Sequence, residues 1–370
     1  MRIPPFKMER LQSVWENVVE YNLSESGVHP VALGELVSES EIEGLLKTGL
    51  GYSQSNGTPE LREEIRKLYP GSGLGQILVT SGSAEANFLL IWSRVDPDDE
   101  VVFMMPNYMQ IWGLLGGFQA RIKPFFLKEK LNWAPDLDEL ESLVTPKTKM
   151  IVVTNPNNPT GAILSPEEMK AIVCLAEKSG AWILADEVYR GAELDGRLTP
   201  SFWGMTERVI ITSGLSKAYG LPGLRLGWIV APEDLILKTW PYHDYTTISP
   251  SLLSDRLARI ALGRGTREKI LARTRSILLR NFPVIESWLG KKAGIFHYVA
   301  PRAGAICYVR YNLAINSTEL AERLIREKSV LIVPGDHFEM DRHLRIGFGS
   351  DEAYLRAGLG RIDEVLSGLR

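Results

Sequence analysis

The stretch SGLSKAYGLPGLRLGWIV, residues 213–230, places an ammonium just ahead of a run that reads as a buried strand. Lys217 follows Ser216 and stands eight residues before Arg225, and Gly220, Pro222 and Gly223 between them require tight turns. Turns of that kind bring the two cations toward one place, and two cations together imply an anion. A second anion site is written in SGSAEAN (81–87), which follows an apolar run and opens a helical one. Free N–H groups at a helix start, with Gly82 allowing close approach, suit a phosphate. The spacing is not that of a Walker A loop, which disfavours a nucleoside triphosphate.

Two further segments carry polar groups to strand ends. DEVYR (186–190) closes the apolar run AWILA, and a carboxylate there is costly unless Asp186 meets a cation or a protonated nitrogen. An internal bridge to an arginine is the alternative partner. NPNNPTG (155–161) reads as a double turn that holds an amide, Asn157 or Asn158, at another strand end. An acid, an amide, the phenol of Tyr189, a phosphate cradle and a lysine flanked by an arginine together match the needs of pyridoxal phosphate. The acid keeps the pyridine nitrogen protonated and strengthens the electron sink, and Lys217 forms a Schiff base with the aldehyde.

These groups need elements to position them. From about residue 75, short apolar runs alternate with helical segments: ILVT, EVVFMMP, MIVVTNP, WILADEV, VIITSG and RLGWIVA. Continuous apolar strands followed by helices predict an α/β fold, with a mainly parallel seven-stranded-type sheet flanked by helices. Such sheets bind ligands at the carboxyl ends of their strands, where all the polar motifs fall. After about residue 255 a long helical stretch, from SDRLARIAL to about Trp288, precedes shorter runs, among them AICYVRY, VLIVPG and HLRIGFG. That texture predicts a smaller α+β domain completed by the N-terminal segment: 45–255 forms the large domain, and 1–44 with 256–370 the small one.

The 370 residues suffice for a large core, and a net charge of -3 with pI near 6.1 gives no basic footprint for nucleic acid. With no signal-like N-terminus and no apolar run of membrane-spanning length, the expectation is a soluble, cytoplasmic protein without a membrane partner. Cys174 and Cys307 are expected to be buried, reduced core residues. The five histidines show no ligand spacing, so no metal is expected.

The ordered set GYSQSNGTPELREEI, TSGSAEA, NPNNPTG, DEVYR, SKAYGLPGLRLGW and HLRIGFG resembles the class I/II aminotransferases, the fold-type I pyridoxal phosphate enzymes, over essentially the whole chain. The resemblance implies that Lys217 carries the cofactor and shuttles the proton, Asp186 pairs with the pyridine nitrogen, and Asn158 and Tyr189 bond its phenolic oxygen. It also implies that Ser83, Ala84, Ser216 and Arg225 hold the phosphate and Tyr108 stacks on the ring. Arg345 clamps the substrate carboxylate, a site Asn158 shares. Tyr52 reaches the phosphate of a partner subunit, which makes the protein a homodimer with shared active sites.

The sequence departs from the family pattern in three places. Gly214 stands where a hydroxyl is usual, so that the phosphate contact falls to Ser216 or Ser213. Met109 follows Tyr108 in place of a proline, and SESGVHP (24–30) replaces the usual glycine-plus-aspartate segment. The implied activity is ping-pong transfer of an amino group between an L-amino acid and a 2-oxo acid. The alternative is a pyridoxal phosphate lyase or cyclase resembling the capreomycidine synthase-like branch. A ligand-sensing regulator would require a DNA-binding module for which the motifs leave no room. Glu25, in the segment facing the substrate, is expected to favour a cationic or polar side chain.

Overall fold

The computed structural model describes residues 2–369. Its centre is an eight-stranded sheet in the order Ile77–Thr80, Gly227–Val230, Val209–Gly214, Trp182–Asp186, Thr148–Thr154, Glu100–Met105, Arg121–Lys128 and Ala134–Pro135. The five strands from Val209–Gly214 to Arg121–Lys128 pair in parallel, whereas Gly227–Val230 and the two-residue Ala134–Pro135 are antiparallel to their neighbours. Continuous apolar runs form these strands because both faces are covered. Ile151, Val153, Ile183 and Ala185 join one buried cluster, and Met150, Val152, Leu184 and Ile210 join the other.

The register aligns the carboxyl ends: Thr154 lies opposite Asp186, and Asp186 opposite Thr212. The antiparallel return strand adds what turn residues alone did not predict. After Val209–Gly214 the chain loops over the sheet end through Ser216 and Lys217 and comes back at Arg225, with Gly214 paired to Gly227.

A four-stranded antiparallel sheet, Phe296–Tyr298, Ile306–Tyr311, His343–Gly347 and Val333–Pro334, forms a second layer system with the helices Ser317–Lys328 and Glu352–Ser367. The run VLIVPG, expected as one strand, is divided between two sheets. Val330–Leu331 pairs in parallel with Tyr21–Asn22, and Val333–Pro334 pairs with the strand carrying Arg345. The long helical stretch is likewise two helices, Leu252–Leu262 and Arg264–Gly290, meeting at Gly263.

Cys307 is fully buried, but Cys174 is exposed, correcting the expectation for it. On the helix Pro166–Ser179 the apolar face carries Met169, Ile172, Val173 and Ala176, and the rotation of about 100° per residue turns Cys174 outward although its neighbours are apolar. No helix among the described residues is long and apolar enough to cross a membrane, and none of their His, Cys, Asp and Glu side chains cluster as a metal site.

Candidate active site

A cavity of about 470 Å³ opens at the carboxyl ends of the central strands. Ser83, Ala84, Tyr108, Asn158, Asp186, Tyr189, Ser216, Lys217, Arg225 and Arg345 all line it. Tyr52 does not: it is 86% exposed and lies away from its own chain's cavity.

Asp186 ends its strand with the carboxylate 5% exposed. Val188 N–H donates to one oxygen at 3.1 Å and the Asn87 amide approaches the other at 3.5 Å. No lysine or arginine among the described residues bridges it, so the alternative of an internal arginine partner does not hold. Burial pushes its carboxyl up to about 6, with those two hydrogen bonds opposing.

Lys217 donates to Glu25 Oε1 at 2.7 Å, and the same oxygen accepts the N–H groups of Ser26 at 2.9 Å and Gly27 at 3.1 Å. The Lys217 ammonium, against the opposing effect of burial, holds the Glu25 carboxyl down at about 2. For the lysine, burial works to lower the pKa, and the Glu25 carboxylate beside it overcomes this, so the net shift is upward.

The anion end is built from two turns. Gly82 precedes the helix Ser83–Arg94 with φ +85° and ψ 162°, and no side chain caps the first N–H groups. A Cβ at Gly82 would stand 2.7 Å from Arg225 Nη2, so the glycine leaves the guanidinium room beside the open helix start. Gly214 has a packing reason too: a Cβ there would meet the Leu226 carbonyl oxygen at 2.9 Å, which excludes the usual hydroxyl residue. Ser213 turns its hydroxyl to the Glu187 carbonyl at 3.3 Å, leaving Ser216 as the one of the two that faces the cavity.

At the opposite end Arg345, 1% exposed, donates to Asn158 Oδ1 at 2.9 Å and to the Ser24 carbonyl at 2.6 Å, while its Nε has no partner. Asn158 therefore offers its amide nitrogen to a ligand. Asn157 instead pins the turn, accepting from Thr160 and donating to the Pro106 carbonyl at 3.1 Å. Tyr189 donates to Ser26 Oγ at 2.7 Å, and burial raises its phenol so that it stays a donor.

Sequence reasoning passed over the helix Lys7–Trp15. It contributes Met8, Glu9 and Gln12 to the cavity, with Phe6 before it and Glu16 at its end. Glu9 accepts the Tyr108 hydroxyl at 2.8 Å, and Phe6 meets the Tyr108 ring edge-on at 4.9 Å. The spacing 9, 12, 16 lays polar groups along one helix face, a pattern that a water-facing side shares. Arg256 and Arg259 line a separate surface cavity with Lys269.

The unpaired buried carboxylate of Asp186 and the open cradle between Gly82, Ser83 and Arg225 fit a ligand with a protonated ring nitrogen and a phosphate, as pyridoxal phosphate has. Comparison with known proteins agrees. The family model described as "Aminotransferase class I and II" matches residues 26–362. Capreomycidine synthase of Streptomyces vinaceus is 32% identical over 353 residues, covering 93% of this chain and 89% of that protein. Aspartate aminotransferase of Thermotoga maritima is 28% identical over 347 residues, covering 90% and 88%. The crystal structure of a PLP-dependent aminotransferase from Streptococcus suis superposes with a TM-score of 0.93 at 31% identity, covering 100% of this chain and 99% of that one. With this fold, this cavity and these relatives, the chain belongs to the class I and II aminotransferases, a pyridoxal phosphate-dependent family.

Proposed function

We propose that the protein is an aminotransferase that moves an amino group between an L-amino acid and a 2-oxo acid by a ping-pong mechanism. One observation carries the reading: Lys217, the unpaired buried Asp186 and the buried Arg345 face a single cavity. When bound, pyridoxal phosphate supplies a sink for the electron pair left at the substrate α-carbon. Asp186 holds a protonated ring nitrogen. The Ser83 and Ala84 N–H groups, Ser216 and Arg225 hold the phosphate, and Tyr108 covers the ring. The Asn158 amide hydrogen-bonds its phenolic oxygen, as does Tyr189 once its hydroxyl turns from Ser26 Oγ. Arg345 fixes the α-carboxylate of the substrate in a two-pronged, charge-assisted pair. Lys217 Nζ takes the proton from the α-carbon, and Glu25, 2.7 Å away, steadies the resulting ammonium.

The same reading makes residues 45–255 the cofactor-binding domain and 1–44 with 256–370 the small domain; the pairing of Tyr21–Asn22 with Val330–Leu331 supports that division. It also makes the protein a homodimer in which Tyr52 serves the second copy's phosphate. The exposure of Tyr52, Leu46 and Leu50 on neighbouring turns supports an apolar contact there.

A second reading, a lyase or cyclase acting on an amino acid, is favoured by the 32% identity to capreomycidine synthase. Mixing the cofactor-loaded enzyme with single amino acids separates the two. Accumulation of pyridoxamine phosphate establishes transamination and names the donor. Loss of the lysine-bound cofactor absorbance without pyridoxamine phosphate, accompanied by ammonia or a cyclised product, establishes the second reading. Lys217→Ala folds but loses both that absorbance and turnover; retained turnover would overturn the assignment of the lysine.

A further inference from the structure

The lining side chains of the cavity carry four carboxylates, Glu9, Glu16, Glu25 and Asp186, against three cations, Lys217, Arg225 and Arg345. The proposed roles commit every cation: Arg225 to the phosphate, Lys217 to the cofactor and Arg345 to the substrate α-carboxylate. Asp186 is committed to the ring nitrogen. Glu9 and Glu16 then remain with no positive partner among the described residues, and Glu25 keeps one oxygen beyond its pair with Lys217.

Each of the three keeps an oxygen for a ligand. Glu9 accepts the Tyr108 hydroxyl on Oε1, and Glu25 accepts Lys217, Ser26 and Gly27 on Oε1, leaving Oε2 of both. Glu16 is exposed at the end of the helix Lys7–Trp15. The three feel one another: the Glu16 carboxyl is pushed up by partial burial, then by Glu25 and Glu9. An independent feature says that the cavity is built for a charged organic ligand. Arg345, 99% removed from solvent on the same wall, has no carboxylate partner among the described residues and an unpartnered Nε. A molecule anchored there by its α-carboxylate must send its side chain elsewhere in the cavity, where Glu9, Glu16 and the second oxygen of Glu25 are open to a cation.

We infer that the substrate is a basic L-amino acid whose terminal ammonium or guanidinium is held by Glu9, Glu16 and Glu25. The inference rests on the pyridoxal phosphate reading above. It makes the N-terminal helix the selectivity element, and it disfavours aspartate and glutamate, whose side chains would face like charge in a partly desolvated site.

The test is a titration of the cofactor-loaded enzyme, without oxo acid, following the cofactor absorbance. L-arginine is compared with its neutral isostere L-citrulline, and L-lysine with L-norleucine. One charge-assisted contact predicts that the cationic member half-saturates at a concentration roughly tenfold lower or better. Glu16→Gln, at an exposed position, and Glu9→Gln, which keeps an acceptor for Tyr108, each shrink that gap to about threefold or less. Calorimetric binding of the same pairs gives a readout independent of turnover. Equal binding of each cationic and neutral pair, or tighter binding of aspartate than of arginine, would overturn the inference alone. A cofactor spectrum that responds to no amino acid would overturn the underlying reading with it.

Discussion

Burying the Asp186 carboxylate without a cation costs the cofactor-free protein stability, and the pH dependence carries a definite sign. Its folded pKa, about 6, lies above the ordinary 3.8. The penalty is therefore absent below about pH 4 and complete above about pH 6. In urea unfolding of the cofactor-free protein, Asp186→Asn is more stable than the parent by up to about 3 kcal/mol at pH 7, and equal to it near pH 4. With cofactor bound the order reverses, because an amide cannot pair with a protonated ring nitrogen as a carboxylate does. A difference that did not change with pH would show that Asp186 is not the buried charge described. Asp186 was legible in the sequence because an acid closing a five-residue apolar strand has few explanations. Glu9 and Glu16 were not, since a glutamate on an amphipathic helix looks the same whether it faces water or a ligand.

The turn from Ile77–Thr80 into the helix Ser83–Arg94 depends on a backbone that only glycine adopts without strain. Gly82→Ala forces a side chain into φ +85°, ψ 162° and toward the Arg225 guanidinium. The expected loss is about 1–3 kcal/mol in thermal or urea unfolding. Phosphate affinity falls with it, because the helix start and Arg225 move apart. An alanine variant with unchanged stability and unchanged cofactor retention would remove the turn from the phosphate site. The reverse run of Gly227–Val230 belongs to the same element. The motif SKAYGLPGLR identified both cations, but the reason they meet is that the strand after Arg225 pairs antiparallel with the strand before Ser216. Strand direction is set by long-range pairing, which an apolar run of four residues does not encode.

The whole molecule is proposed to work as two copies, and Tyr52 is the residue that tests this. Light scattering is expected to give twice the 41.4 kDa chain mass. Tyr52→Phe keeps that mass and weakens cofactor retention about tenfold, the value of one hydrogen bond to a charged group. A monomer that retains cofactor fully would refute the shared site. By itself the sequence determined the parts that depend on local chemistry: the covered parallel sheet from its unbroken apolar strands, and the polar motifs at strand ends. Those motifs gave Ser83, Ala84, Asn158, Asp186, Tyr189, Ser216, Lys217 and Arg225 of the cavity lining, and the family resemblance added Tyr108 and Arg345. The tertiary structure alone decided what depends on distant segments meeting. VLIVPG was split because Tyr21–Asn22 and His343–Gly347 compete for adjacent parts of one run. The helix Lys7–Trp15 became a wall of the cavity because Met8 is buried in the core and Glu9 accepts the hydroxyl of Tyr108, 99 positions away. Glu25 met Lys217 across 192 positions of sequence. Such contacts follow from which surfaces pack together, and no spacing within either segment records them.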